Sequence, residues 1–164
     1  MRRSLREFVR ARYRFCCGYC GISERDAGAE LTVDHFQPVA HQGSDDAENL
    51  VYSCHACNEF KSDFWTTDTT QRLLHPLRDL LASHLREDDQ GRLVGQTETG
   101  VFHIERLHLN RPPLVEHRRW LRREQQSLDE SAQIRARLQE AEARIARMER
   151  LFGIRAEPPE ERQP

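Results

Sequence analysis

Two Cys-x-x-Cys pairs, Cys17/Cys20 and Cys54/Cys57, constrain this chain more than any other feature. A CxxC turn lets two thiolates converge on one ion, and two such turns supply a closed tetrahedral site with sulfur about 2.3 Å from zinc. The pairs are separated by 33 residues, beyond the roughly 15–20 of a simple zinc ribbon, so a structural unit is looped out between them. The fifth cysteine, Cys16, makes the count odd. Paired spacing with an odd count reads as a metal site in a reducing compartment, not a disulfide framework. Cys16 and His55 stand as competing ligands. A closed site has no open coordination position, so its metal stabilises the fold and does no chemistry.

A chain of 164 residues allows one domain with appendages. Mean hydropathy is -0.81 and no apolar run approaches the roughly 18 residues needed to span a bilayer, so an integral membrane protein is excluded. The N-terminal segment has no apolar stretch of the secretory-signal kind, and a cytoplasmic location is the expectation. Charge is regional. Six arginines (Arg2, Arg3, Arg6, Arg10, Arg12, Arg14) face one acid, Glu7, in residues 1–14, and Leu5, Phe8, Val9 and Tyr13 recur at near-helical spacing, which predicts a basic helix. From Ser23 to Glu59 the balance is acidic, through Asp26, Glu30, Asp34, Asp45, Asp46, Glu48 and Glu59. A polyanion would not be drawn to that stretch, so its carboxylates need another reason.

Leu31–Phe36 alternates and is β-branched, predicting a strand closed by Pro38 and a polar loop with Gly43 and Ser44. Asn49–Tyr52 predicts a second strand, and His55–Phe64 a helix that starts in the second cysteine pair. After Trp65 a Thr-rich linker is expected, then a hairpin turn at Asp89–Arg92, and a short helix after Gly100 that Pro112 and Pro113 stop. Leu114–Phe152 has no glycine or proline up to its end and predicts a helix of roughly 58 Å, or two helices if Ser127–Glu130 is a capping box. Ile134, Leu138, Ala141, Ile145, Met148 and Phe152 form a seam of about three heptads. The expected organisation is a basic helix over residues 1–14, a central domain with its extension over 15–111, a helical segment over 112–155 and a disordered tail over 156–164.

The string Cys17-Gly-Tyr-Cys20, Val33-Asp-His-Phe-Gln-Pro38, Gly43-Ser44, Glu48-Asn-Leu50, Cys54-His-Ala-Cys-Asn58 and Lys61 resembles the HNH endonuclease family in its four-cysteine version. The resemblance covers about Phe15 to Trp65, and its motifs fall in the right order. It implies an α+β fold: a ββα-metal finger with a structural zinc knuckle, followed here by a long C-terminal helix or helix pair. Carried over, Asp34 and Asn58 would hold a catalytic divalent ion, His35 would be the general base and Asn49 would position His35. Asn58 stands where many members have the last His of the family name. An Asp-plus-Asn set is oxygen-rich and favours Mg²⁺ or Mn²⁺. Histidine suits the base role because its ordinary pKa, about 6.5, lies near neutrality. Neighbouring residues on a regular strand point to opposite faces, so Asp34 and His35 cannot both project the same way, and the resemblance implies a local geometry with metal ligand and base on either side of the scissile phosphate.

The expected reaction is phosphodiester hydrolysis in DNA, with RNA left open. Phosphate neutralisation supplies most non-specific affinity, and Arg10, Arg12 and Arg14, with Arg118, Arg119, Arg122 and Arg123, are the candidate contacts. Lys61, the only lysine among 25 basic residues, is expected to face a phosphate or to lie on a solvated helix face. His75, His84, His103 and His108 are taken as structural or surface histidines. The seam of the last helix would support a homodimer or a partner protein. The competing reading is a catalytically silent, zinc-stabilised module that binds nucleic acid or protein.

Overall fold

The computed structural model describes residues 3–153. The expected disordered tail lies outside the described residues. Its helix α1 (Arg3–Arg12) turns Val9 fully inward, and Tyr13 continues that face. The chain then reverses through Arg14 and Phe15, whose φ values of 52° and 61° lie in the left-handed region. Cys16 bridges Ser23 antiparallel, which closes the first cysteine turn ahead of the single-turn helix α2 (Glu24–Ala27).

The strands β1 (Thr32–His35) and β2 (Leu50–Ser53) pair antiparallel, with Asp34 opposite Val51 and His35 opposite Leu50. Every residue of β2 is buried, whereas β1 is half-buried throughout. Helix α3 (His55–Lys61) follows directly, with Cys54 at its N-cap. It stops earlier than the apolar spacing predicts. Ser62 has φ 51°, and Phe64 lies beyond the end.

The Thr-rich segment expected to be a linker carries no helix or strand and is exposed from Thr67 to Gln71, and packing resumes after it. Leu73 and Leu74 are buried, the Leu74 N–H donates to His103 Nδ1 at 3.1 Å, and Arg72 grips Asp79 through two bonds of 2.8 and 2.9 Å. Beyond it come α4 (Leu81–His84), the hairpin of β3 (Leu85–Glu87) and β4 (Leu93–Gly95), and α5 (Glu98–Arg106). Helix α5 begins at its Thr97 cap, so Gly100 lies inside it. A Cβ at Gly100 would sit 2.1 Å from the His84 carbonyl oxygen, and this close approach is what the glycine permits.

Pro112 opens the last helix and is not a stop signal. Proline is tolerated in a first turn because its missing N–H would have no intrahelical partner. Helix α6 (Pro112–Phe152) is one helix of 41 residues, and Ser127 falls inside it, so no second helix starts there. The fold class is α+β, with two small antiparallel sheets and a long C-terminal helix. The chain divides into two compact units, one ending at Arg119 and the other starting at Trp120. That boundary falls after the expected Arg111. Leu114 and Val115 are buried, and the Arg118 guanidinium bonds the carbonyls of Gly91 at 2.7 Å and Leu109 at 2.9 Å, so the first turns of α6 belong to the first unit. In the second unit the heptad seam is exposed, Ile134 by 65% and Leu138 by 58%. No described helix is long and apolar enough to cross a membrane.

Candidate functional site

The four paired cysteines meet. One ligand atom from each of Cys17, Cys20, Cys54 and Cys57 lies within 4.8 Å of the others, and the Cys20 and Cys54 sulfurs are 3.7 Å apart. Tetrahedral sulfurs at the zinc–sulfur bond length are about 3.8 Å apart, so the four are placed to bind a metal and suit zinc. The competing ligands stand aside. The Cys16 Sγ donates to the Arg14 carbonyl at 3.4 Å, and His55 is 82% exposed beside Glu59. Sequence reasoning missed Arg111. Its Nη2 lies 3.6 Å from Cys57 Sγ and 3.9 Å from Cys54 Sγ, with the guanidinium over the Phe60 ring. Four thiolates around a dication would carry a net negative charge, which Arg111 is placed to offset from the side of the α5–α6 turn.

On β1, the Asp34 carboxylate points at α3. Lys61, with a fully buried side chain, puts its ammonium 3.0 Å from Asp34 Oδ2. Lys61 was expected to face a phosphate or solvent, and in this arrangement its charge is spent inside the protein. Burial pushes the Asp34 carboxyl above its usual range, while Lys61 pulls it back. The Asn58 amide lies 3.2 and 3.3 Å from the two Asp34 oxygens. With nitrogen turned inward it donates to both. With oxygen turned inward it joins Asp34 in an all-oxygen set of the kind that hard divalent cations take. Both side chains predicted to hold the divalent ion are therefore adjacent.

His35 points to the other side. Its Nε2 is 2.6 Å from Asp45 Oδ1, a contact that sequence reasoning did not anticipate. Asp45 is in the loop between the strands and is largely exposed. The hydrogen bonds of Asn49 go to that loop's backbone, not to the imidazole. Its Oδ1 accepts from the Gln37 N–H at 2.9 Å, and its Nδ2 donates to the carbonyls of Gln37 at 3.0 Å and Ser44 at 2.8 Å. The loop is drawn in so tightly that a Cβ at Gly43 would sit 1.7 Å from the Gln37 oxygen. Asn49 thus holds His35 only indirectly, by fixing the loop that carries Asp45.

The basic residues are largely committed. Arg10 makes two bonds to Glu24, of 2.6 and 2.7 Å, and holds its carboxyl down to about 2. The Tyr52 hydroxyl donates to the same carboxylate. Arg12 bonds Glu48 at 2.8 Å. Both arginines pin α1 to the centre of the fold, which answers part of the acidic excess. Arg119 bonds Gln90 and Glu116, and Arg14 is exposed.

This geometry agrees with what the chain resembles among known proteins. Residues 17–64 match the HNH endonuclease family model. The HNH segment contains the cysteine cluster, Asp34, His35, Asn49, Asn58 and Lys61, and leaves α5 and α6 outside. A relative, the Septu protein PtuA of Bacillus mycoides (strain KBAB4), is 24% identical over 146 residues, 70% of this chain. The chain spans only 20% of that relative's length. No solved structure matches.

Proposed function

We propose that this chain is a metal-dependent endonuclease whose HNH segment is a ββα-metal finger hydrolysing phosphodiester bonds of DNA. The observation that carries the reading is the division of labour across β1: Asp34 and Asn58 converge on one side, and an imidazole with a fixed partner stands on the other.

Asp34 and Asn58 would hold Mg²⁺ or Mn²⁺, and such an ion, when bound, neutralises charge developing on the phosphate and leaving oxygen. Asp45 holds Nε2–H of His35 and so fixes the tautomer, leaving the Nδ1 lone pair to take a proton from the attacking water. Asn49 is the positioning residue for that arrangement, because it ties down the loop from Gln37 to Ser44. Lys61 would offset part of the cost of burying the Asp34 carboxylate through their 3.0 Å ion pair. The four cysteines hold structural zinc, with Arg111 as counter-charge. Arg14 and its neighbours would meet the phosphate backbone, and the exposed seam of α6 would take a second copy or a partner protein. A reducing, cytoplasmic setting would suit four cysteines kept for zinc and not for disulfides.

The reading is tested by strand scission of supercoiled plasmid with zinc-loaded protein. Cleavage should require Mg²⁺ or Mn²⁺ and vanish in Asp34→Ala at unchanged zinc content. Cleavage without added divalent ion, or equal cleavage by the variant, would overturn it. Binding without cleavage would favour the silent zinc-stabilised module.

A further inference from the structure

A cavity of about 250 Å³ is lined by residues that follow β1 and α3 in the chain, and nothing in the proposed chemistry uses it. Phe36, Phe64, Trp65, Leu73, His75 and Arg78 line it. Its place follows from the chain. The Phe36 N–H donates to the Asn49 carbonyl at 2.7 Å, continuing the β ladder one residue past β1. Phe36 is two residues from Asp34, so the two share a face of the strand with Cα atoms about 7 Å apart. From the other side, the Phe64 N–H donates to the Lys61 carbonyl at 3.1 Å.

Four of the lining side chains, Phe36, Phe64, Trp65 and His75, are flat aromatic rings. Phe36 and Trp65 meet edge to face at 6.0 Å and 84°, making a corner in which a planar ring can lie flat on one and meet the other with its edge. His75 uses both nitrogens, Nδ1 accepting from the Leu77 N–H at 3.2 Å and Nε2 bonding the Glu48 carbonyl at 3.2 Å, and burial holds its pKa at about 4. The charges of Arg72 and Asp79 satisfy each other. One cation remains at the rim: Arg78, exposed, lies 5.6 Å over the Phe36 ring. The volume is below the roughly 300–1,000 Å³ of sites for drug-sized ligands.

We propose that this cavity receives a single unpaired nucleobase, stacked against Trp65 and Phe36, of a strand whose phosphate lies at Asp34 and Asn58. The proposal rests on the nuclease reading for where the phosphate sits, and it narrows the substrate to single-stranded or locally unpaired nucleic acid. A base within a duplex is stacked on both faces and has to leave the helix to enter. Stacking is tolerant of sequence, because every base has a π-face, so the site would select for strandedness and not for a motif.

The test uses a single-stranded DNA 12-mer carrying one 2-aminopurine, titrated into zinc-loaded full-length protein in the His35→Ala background with Mg²⁺. Binding should quench 2-aminopurine fluorescence. Trp65→Leu should weaken binding by about tenfold, in the range for losing one stacked base, and Trp65→Phe should restore most of it. Thr66→Tyr, which fills the cavity from its rim, should also weaken binding and guards against a folding defect in Trp65→Leu. Affinity unchanged in both Trp65→Leu and Thr66→Tyr would overturn the proposal and leave the cavity to an aromatic side chain of another protein. Plasmid scission by the unsubstituted protein separates the two readings. Trp65-dependent binding without scission keeps the base site and removes the nuclease, whereas scission with Trp65-independent binding does the reverse.

Discussion

Replacing Lys61 by Met removes the buried partner of Asp34 while keeping much of the side chain's apolar bulk. At the 3.0 Å separation seen here, Coulomb attraction in an effective dielectric of about 20 amounts to about 5–6 kcal/mol. Desolvation of the ammonium, whose other bond is to the Ser62 carbonyl at 3.3 Å, offsets part of this. Breaking a buried pair from one side typically costs about 3–5 kcal/mol. The lower end applies here, because the Asp34 side chain is 16% exposed and its carboxyl, already raised by burial, can escape by taking a proton. Lys61→Met should therefore lose about 3 kcal/mol, which lowers the urea midpoint by about 1.5–2 M for a protein of this size. Equilibrium unfolding of zinc-loaded protein, without Mg²⁺ or Mn²⁺, reads this directly. Adding Asp34→Asn removes the stranded anion, and the double variant should recover more than half of the loss. A loss below about 1 kcal/mol, or a double variant whose losses simply add, would refute the claim that Lys61 serves Asp34.

Chelating the metal, or replacing Cys57 with Ser, should abolish cooperative unfolding by circular dichroism, since metal binding free energy is folding free energy in a small domain; a native melt with no bound zinc would contradict it. Asn49→Ala cuts three bonds to the loop and should cost about 1–3 kcal/mol and slow scission at unchanged zinc content, while scission at the unsubstituted rate would remove its positioning role. His75 and His103 are both held at about 4 by burial. A histidine with a folded pKa below its unfolded value binds fewer protons when folded, so its stabilisation is full above about pH 6.5 and is lost as pH falls towards 4. Nitrogen shifts of these two rings should report neutral imidazole down to about pH 4, and protonation near pH 6.5 would refute the burial argument.

The cysteine ligands were legible because a turn of fixed length brings each pair onto one ion, and that constraint is local. The strands and α3 followed from alternation and from the punctuation of Pro38 and Gly43. What was not legible depends on distant partners. The pairing of Lys61 with Asp34 needs the crossing of α3 over β1, and the Asp45 contact needs a loop that Asn49 folds inward. Arg111 reaches the cysteines across 54 and 57 residues of sequence, and no spacing rule predicts that. The intramolecular partners of the basic N-terminus were not legible, because sequence shows charge but not what it pairs with. Glu24 and Glu48 neutralise Arg10 and Arg12. The prolines misled for a different reason, since Pro112 can end one helix or open the next and only the tertiary path decides.

The central claim, that His35 takes the proton from the water that breaks a phosphodiester bond, is tested most directly by His35→Ala in supercoiled plasmid scission with Mg²⁺ or Mn²⁺. The variant, with zinc content and melting unchanged, should nick about 10²–10⁴-fold more slowly than the unsubstituted protein. Equal rates for the two proteins would contradict the account.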